Sequence, residues 1–225
     1  MFKRLGDLIG RRGSVRPKDP SAAPLAEYDR ALKVDLNAMP RRAQAAFAAA
    51  CAERLHPAYV AYLEASGRVD DGLIRRALDL AWDGATTGGV PAADSSETVE
   101  QCVALIPGAD AEFAVPPFVD DSIAAVAYAL TAAIGPDPDA AGWAATRVTD
   151  TLDDFVRSTD IEAALPGAEQ RVWDHPLVQV EISRRRKDLD GLLASSDWAA
   201  TVAAVRMSAA GVSALPLDQL DLGAG

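Results

Sequence analysis

The sequence predicts an all-α protein, a single compact bundle of roughly eight helices, and three observations carry the prediction. From about residue 24, apolar residues recur at i, i+3, i+4 and i+7 in one segment after another, each closed by a Gly or Pro break. Alanine supplies much of the 49% hydrophobic fraction, in runs such as "RAQAAFAAACA", "IAAVAYALTAA" and "DWAATVAAVRMSAA", which favour helices packed closely together. Nowhere does a period-2 apolar run meet a hairpin turn. A chain of 225 residues with this composition has ample material for its own core.

Residues 1–23 read as an appendage to that core. "MFKRLGDLIGRR" puts Phe2, Leu5 and Ile9 on one helical face among basic residues, and "GSVRPKDPSAAP", with its three prolines, reads as a flexible linker. The all-helical domain is expected over 24–213. In "PRRAQAAFAAACAERL", Phe47, Cys51 and Leu55 line one face and Pro40 suits the first turn. Pro57 biases His56 away from helical geometry and predicts a corner there, beyond which Tyr59, Tyr62 and Leu63 continue the apolar surface. Leu73, Ile74, Ala77, Leu78, Ala81 and Trp82 mark the next helix, capped by Asp70 or Asp71, and "TTGGVPAADSS" breaks the pattern.

Val99, Cys102, Val103 and Ile106 give another stripe, ended by "PGAD"; Ile123, Val126, Ala127, Leu130 and Ile134 give a longer one, ended by "GPDPD". Val148, Leu152, Phe155 and Val156 then face inward. Val178, Ile182, Leu189 and Leu193 mark a late helix, and Trp198, Val202, Val205 and Val212 mark the last. Residues 214–225 lack any sustaining period and read as a short disordered tail.

The net charge of −11 argues against nucleic acid as a partner, since a phosphate backbone demands clustered positive charge. Residues 1–18 hold six basic side chains against Asp7, a net +5, which leaves −16 on the remainder. An acidic body suits a basic protein partner. Cys51 and Cys102 share no metal-ligand or redox spacing and fall on apolar faces, as buried thiols do. No uninterrupted apolar run is long enough for a membrane span, and the first residues lack a secretory h-region, so the expected location is the cytoplasm. The head could add weak contact with a membrane surface.

Four blocks, "CAERLHPAYVAYLEASG" with "DDGLIRRALDLAWD", then "IPGADAEFAVPPFVDDSIAAVAYAL", then "EISRRRKDLDGL", resemble in order and spacing an uncharacterised bacterial family, the YjaG-like proteins, over roughly residues 36–195. The resemblance implies a compact all-helical domain of unknown function and assigns no catalytic residue. The basic head and the segment after about residue 213 depart from its pattern.

The residues themselves complete no catalytic set. Glu53-x-x-His56 is half of a di-metal carboxylate motif, but a second copy would need an acid where Val172 stands. Cys51 and His56 lie five apart, on different faces of a continuous helix, and no Gly-rich phosphate loop exists. Asp70-Asp71 and Asp120-Asp121 are expected to cap helix starts, and Asp150, Asp153 and Asp154 to form a solvated face. No catalytic, cofactor or metal residue is therefore assigned. Arg184, Arg185 and Arg186 are expected on a surface neutralised by Glu181, Asp188 and Asp190 at i, i+4. With Phe2, Leu5, Ile9, Arg11 and Arg12 they form the candidate interaction set. The expected function is a cytoplasmic, non-catalytic interaction or regulatory module that binds another protein, one specialised form being an immunity-type protein masking a basic toxin. The alternative is a helical-bundle enzyme or small-ligand or metal-binding protein that uses helix carboxylates.

Overall fold

A computed structural model describes residues 24–106, 115–135, 137 and 139–222. Among them are nine α-helices, one 3-10 turn and no strand, so the all-α expectation holds. The helices are α1 (Pro24–Asn37), α2 (Arg41–Ser66), α3 (Leu73–Thr87), α4 (Ala92–Ala104), α5 (Pro117–Ile134), α6 (Ala140–Thr159), α7 (Glu169–Asp174), α8 (Pro176–Leu193) and α9 (Trp198–Ala210). The head, residues 1–23, lies outside the described residues.

The two alanine-rich helices α2 and α5 form the centre, packed against each other and ringed by the rest. α5 is long and apolar enough to cross a membrane by length and composition, but 83% of it is buried against its neighbours. Small side chains let these axes approach closely. At Gly84 of α3, a Cβ would stand 2.6 Å from that of Ala133 in α5, so only glycine fits that crossing.

α2 does not turn at His56. It runs unbroken through Pro57 for 26 residues and ends at Gly67, whose φ of 64° is left-handed. Pro57 removes one helical hydrogen bond, at a cost of about 3 kcal/mol. Burial of Leu55, Tyr59 and Tyr62 on both sides of it offsets that, at about 1.5–3 kcal/mol for each large side chain. The corner role falls instead to His175, which joins α7 to α8 and accepts a hydrogen bond at Nδ1 from the Leu177 N–H, 3.3 Å away. Asp70 caps α3 as expected, accepting from the N–H groups of Gly72 (2.8 Å) and Ile74 (3.2 Å).

The interior holds an ion network that joins four helices. Arg54 of α2, 2% exposed, donates from Nε to Glu181 Oε1 (2.9 Å) and from Nη1 to Asp188 Oδ2 (2.7 Å), both on α8. Arg185, 1% exposed, donates to the same Glu181 oxygen (3.2 Å) and to Thr149 Oγ1 of α6 (3.0 Å). Its Nη1 also lies 3.8 Å from Asp29 of α1, and Thr149 donates to that carboxylate at 3.0 Å. The segment after α9 does not continue as helix, yet it follows the body: Ala214 donates its N–H to the Arg54 carbonyl (2.8 Å), and Ala214 and Leu215 are buried.

Replacing Arg54 by Met is expected to lower stability by about 3–5 kcal/mol, because Asp188 remains buried without its guanidinium and Glu181 keeps only its hydrogen bond from Arg185. Urea unfolding of the two proteins measures this. A loss below about 1 kcal/mol would show that the network contributes little.

Candidate functional site

Two features of the described residues can do chemistry or recognition: an open cleft between α1 and α8, and a group of acids between α5 and α6. α1 packs against α6 and α7, while α8 packs against α2 and α9, which leaves a hollow of about 420 Å³ between α1 and α8. Tyr28 and Leu32 of α1, with Met39 just beyond its end, form one wall; Leu189 and Leu193 of α8 form the other. Asp35, Asp190 and Arg186 stand at its exposed rim. Leu193 is 62% exposed, an unusual position for a large apolar side chain inside a concave surface.

The three arginines of α8 occupy three environments, not one surface. Arg184 is partly exposed and donates to the Ser213 carbonyl at 3.2 Å. Arg185 lies in the interior network, so it is not available to a partner. Arg186 is exposed on the cleft rim. Of the expected pairs, Glu181 does meet Arg185, but inside the protein, and Asp188 is held by Arg54 of α2 instead of by Arg184. Phe2, Leu5, Ile9, Arg11 and Arg12 lie outside the described residues.

In the second feature, Asp121 is not a cap. It sits on the buried side of α5, 7% exposed, and accepts from Arg147 Nη1 (3.1 Å) and Thr151 Oγ1 (2.9 Å) of α6. Asp150 shares the same guanidinium, 2.5 Å from its Nη2. Burial pushes Asp121 up to about 7; Arg147 opposes this and Asp150 adds to it. Asp150 is pushed up to about 6, by burial first, with Arg147 again opposing. Two carboxylates with one guanidinium leave an excess negative charge, and low local dielectric makes the proton the cheapest way to remove it. Asp153 meets the solvated expectation better, paired with Arg157 at 2.8 Å.

The Glu53–His56 spacing has a structural use. Glu53 accepts from Arg75 at both oxygens (2.6 and 3.2 Å) and from Trp82 Nε1 (2.7 Å), which pins α3 to α2 and occupies the lone pairs a metal would need. Among the described residues no group of three or more His, Cys, Asp or Glu is placed to hold a metal ion. Cys51 and Cys102 are free and buried, and burial pushes their thiols up to about 11 and about 12, so neither is a ready nucleophile.

Asp121 holds its proton more tightly in the folded than in the unfolded state, so its contribution to stability is present below about pH 4 and lost as pH rises towards 7. Thermal unfolding of wild type and Asp121→Asn is therefore expected to shift in favour of the variant between about pH 5 and about pH 8. A difference that does not change with pH would refute the assignment.

Comparison with known proteins adds a family and a fold. The family model described as "Protein of unknown function (DUF416)" matches residues 31–215. The crystal structure of a DUF416 family protein from Shewanella baltica OS155 is similar with a TM-score of 0.69, at 18% identity, over 81% of this chain and 95% of that one. At that identity the likeness shows the fold alone. No curated protein matches the chain.

Proposed function

The chain belongs to the DUF416 family, proteins of unknown function, and from that premise we propose that it is a non-catalytic cytoplasmic module that binds another protein through the α1–α8 cleft. The observation that carries this reading is the cleft itself: an apolar hollow, open to solvent, with Leu193 62% exposed on its wall. Its length along α1, from Tyr28 to Met39, matches about three helical turns. An amphipathic helix laid into such a groove buries its apolar stripe, and basic flanks would meet Asp35 and Asp190. The net −16 on residues 19–225 steers the same kind of partner. Masking a basic toxin, as an immunity-type protein does, is a specialised form of this role. The likeness to YjaG-like proteins belongs to the same reading, because the block "EISRRRKDLDGL" supplies much of the α8 wall.

A second reading, a helical enzyme working through carboxylates, is favoured by the raised values at Asp121 and Asp150, which suit general acid–base work near neutrality. It ranks lower because both Asp121 oxygens are already engaged by Arg147 and Thr151.

Full-length protein carrying Leu193→Asp is expected to lose, by about tenfold or more, a protein that copurifies with wild type from the native host and is then reconstituted from purified components. Met207→Asp, at an exposed residue of α9, is expected to retain it. Equal retention or equal loss by the two variants would overturn the cleft as the binding site.

A further inference from the structure

We propose that residues 212–222 form a latch, closed over the proline break of α2, that opens and closes while the helical bundle stays folded. Pro57 has no N–H to donate and its ring presses on the preceding turn, so the carbonyls of that turn are open to donors from outside the helix. Two such donors reach them. The Ala214 N–H, beyond the end of α9, donates to the Arg54 carbonyl at 2.8 Å. Ser122 Oγ of α5, which donates to the Phe118 carbonyl at 2.6 Å, lies 3.3 Å from the Leu55 carbonyl.

The same peptide unit that serves Arg54 reaches α8 from its other side: the Ser213 carbonyl accepts from Arg184 Nη1 at 3.2 Å. In a trans peptide the C=O and N–H point opposite ways, which suits a bridge between two helices. The peptide joining Ser213 to Ala214 thus bolts α2 to α8 at Arg54, the residue whose side chain already meets Glu181 and Asp188. Ser213 Oγ accepts from the Leu215 N–H at 3.2 Å, which fixes the turn. Ala214 and Leu215 are each 3% exposed, Leu220 and Leu222 are half-buried against the core, and the 3-10 turn Leu217–Gln219 lies on α2.

So few attachments hold the segment that it opens at a lower free energy than the bundle does. The open state is also provided for. Arg184 Nη1 stands 3.8 Å from Glu181 Oε2, an oxygen without a hydrogen bond among the described residues. With the latch closed, the Ser213 carbonyl holds the guanidinium off that oxygen; with it open, Arg184 closes on Glu181 and neither charge loses a partner. Two discrete arrangements of one side chain make a switch, where a frayed end would have none. α8 is also a wall of the α1–α8 cleft, so the latch bears on that wall, but the latch itself does not rest on the cleft being an interaction site.

Native-state hydrogen exchange of the full-length protein, without any partner, tests the latch. The Ala214 amide is expected to exchange at least about tenfold more slowly than a free amide and at least about tenfold faster than the amides of Val126 and Leu130 in α5, with little acceleration in low urea, because local opening exposes little surface. Exchange at the α5 rate would show that the segment is welded to the core, and exchange at the free rate that it is not docked; each overturns the proposal. Arg184→Ala is expected to raise the Ala214 rate at least about threefold, and Lys187→Ala, at an exposed residue of the same helix, to leave it unchanged. Equal effects of the two would remove the clasp. Leu215→Asp is expected to free the segment, with Ala214 exchanging as a free amide, while helix content by circular dichroism and a single cooperative urea transition are kept. Loss of helix content in that variant would show that the bundle does not fold without the latch closed. Failure of these measurements leaves the cleft reading standing, and loss of a cleft partner leaves the latch standing.

Discussion

A guanidinium taken out of water and set between Glu181 and Asp188 fixes how α8 can lie against α2. Removing Arg54 from solvent costs several kcal/mol, which only close, well-aligned carboxylates recover. Glu181, Arg185 and Asp188 stand four and three positions apart, on one side of α8, so meeting this condition sets the rotation of the helix about its axis. Leu192, on the same side, is buried as well. Once that side faces inward, Arg186, Leu189, Asp190 and Leu193 are turned towards α1. On α1 the same logic applies through Asp29, which reaches Thr149 and the neighbourhood of Arg185 from the side that also buries Leu25, Leu32 and Leu36. Tyr28, Ala31 and Asp35 are then turned towards α8. The cleft is thus the outer consequence of an interior electrostatic fit.

The two buried charge groups solve the same problem differently. In the first, Arg54 and Arg185 stand among Glu181, Asp188 and Asp29, each carboxylate within reach of a guanidinium, and four helices are tied by the result. In the second, one guanidinium, Arg147, serves both Asp121 and Asp150; burial first, and then the neighbouring negative charge, holds these acids above the usual carboxylate range against the pull of Arg147. In the first group burial raises Asp29 and Asp188 above the usual carboxylate range, and Arg185 and Arg54 oppose it. The second makes the α5–α6 seam a place where solution pH enters the folded state, with Asp121 pushed up to about 7.

The helices were legible because their signal is local. Ile123, Val126, Ala127 and Leu130 repeat at helical spacing whatever they pack against, and all of them are buried in α5. The same local reasoning misplaced a boundary at Pro57, since the compensation for its lost hydrogen bond comes from the packing of Tyr59 and Tyr62 and not from neighbouring sequence. It also read Glu181, Arg185 and Asp188 as surface pairs. At i, i+4 such pairs are neighbours on any helix, and nothing within the run says that an arginine 127 positions earlier lies opposite. Asp121 was read as a cap for the same reason: a doublet of acids near a helix start fits capping until Arg147, 26 positions on, is seen to hold it. One sign was present in the sequence. Asp188 and Glu181 share a side of α8 with Leu192, and acids that keep company with a buried leucine at helical spacing face the interior with it.

The block "EISRRRKDLDGL" therefore encodes two surfaces at once. Its inward set, Glu181, Arg185, Asp188 and Leu192, seats the helix, and its outward set, Arg186, Leu189 and Asp190, lines the cleft. Because the two sets interleave along one rigid rod, a change in the inward set alters the outward one without touching it. Losing the fit at Arg54 frees α8 to rotate, and a rotation of one residue, about 100°, carries Leu189 off the cleft floor. On the proposed role of the cleft, recognition there is sensitive to residues that no partner contacts. An ionic seat sets the orientation of α8 where an apolar contact would tolerate slippage: hydrophobic packing is non-directional, whereas a guanidinium between two carboxylates has one orientation.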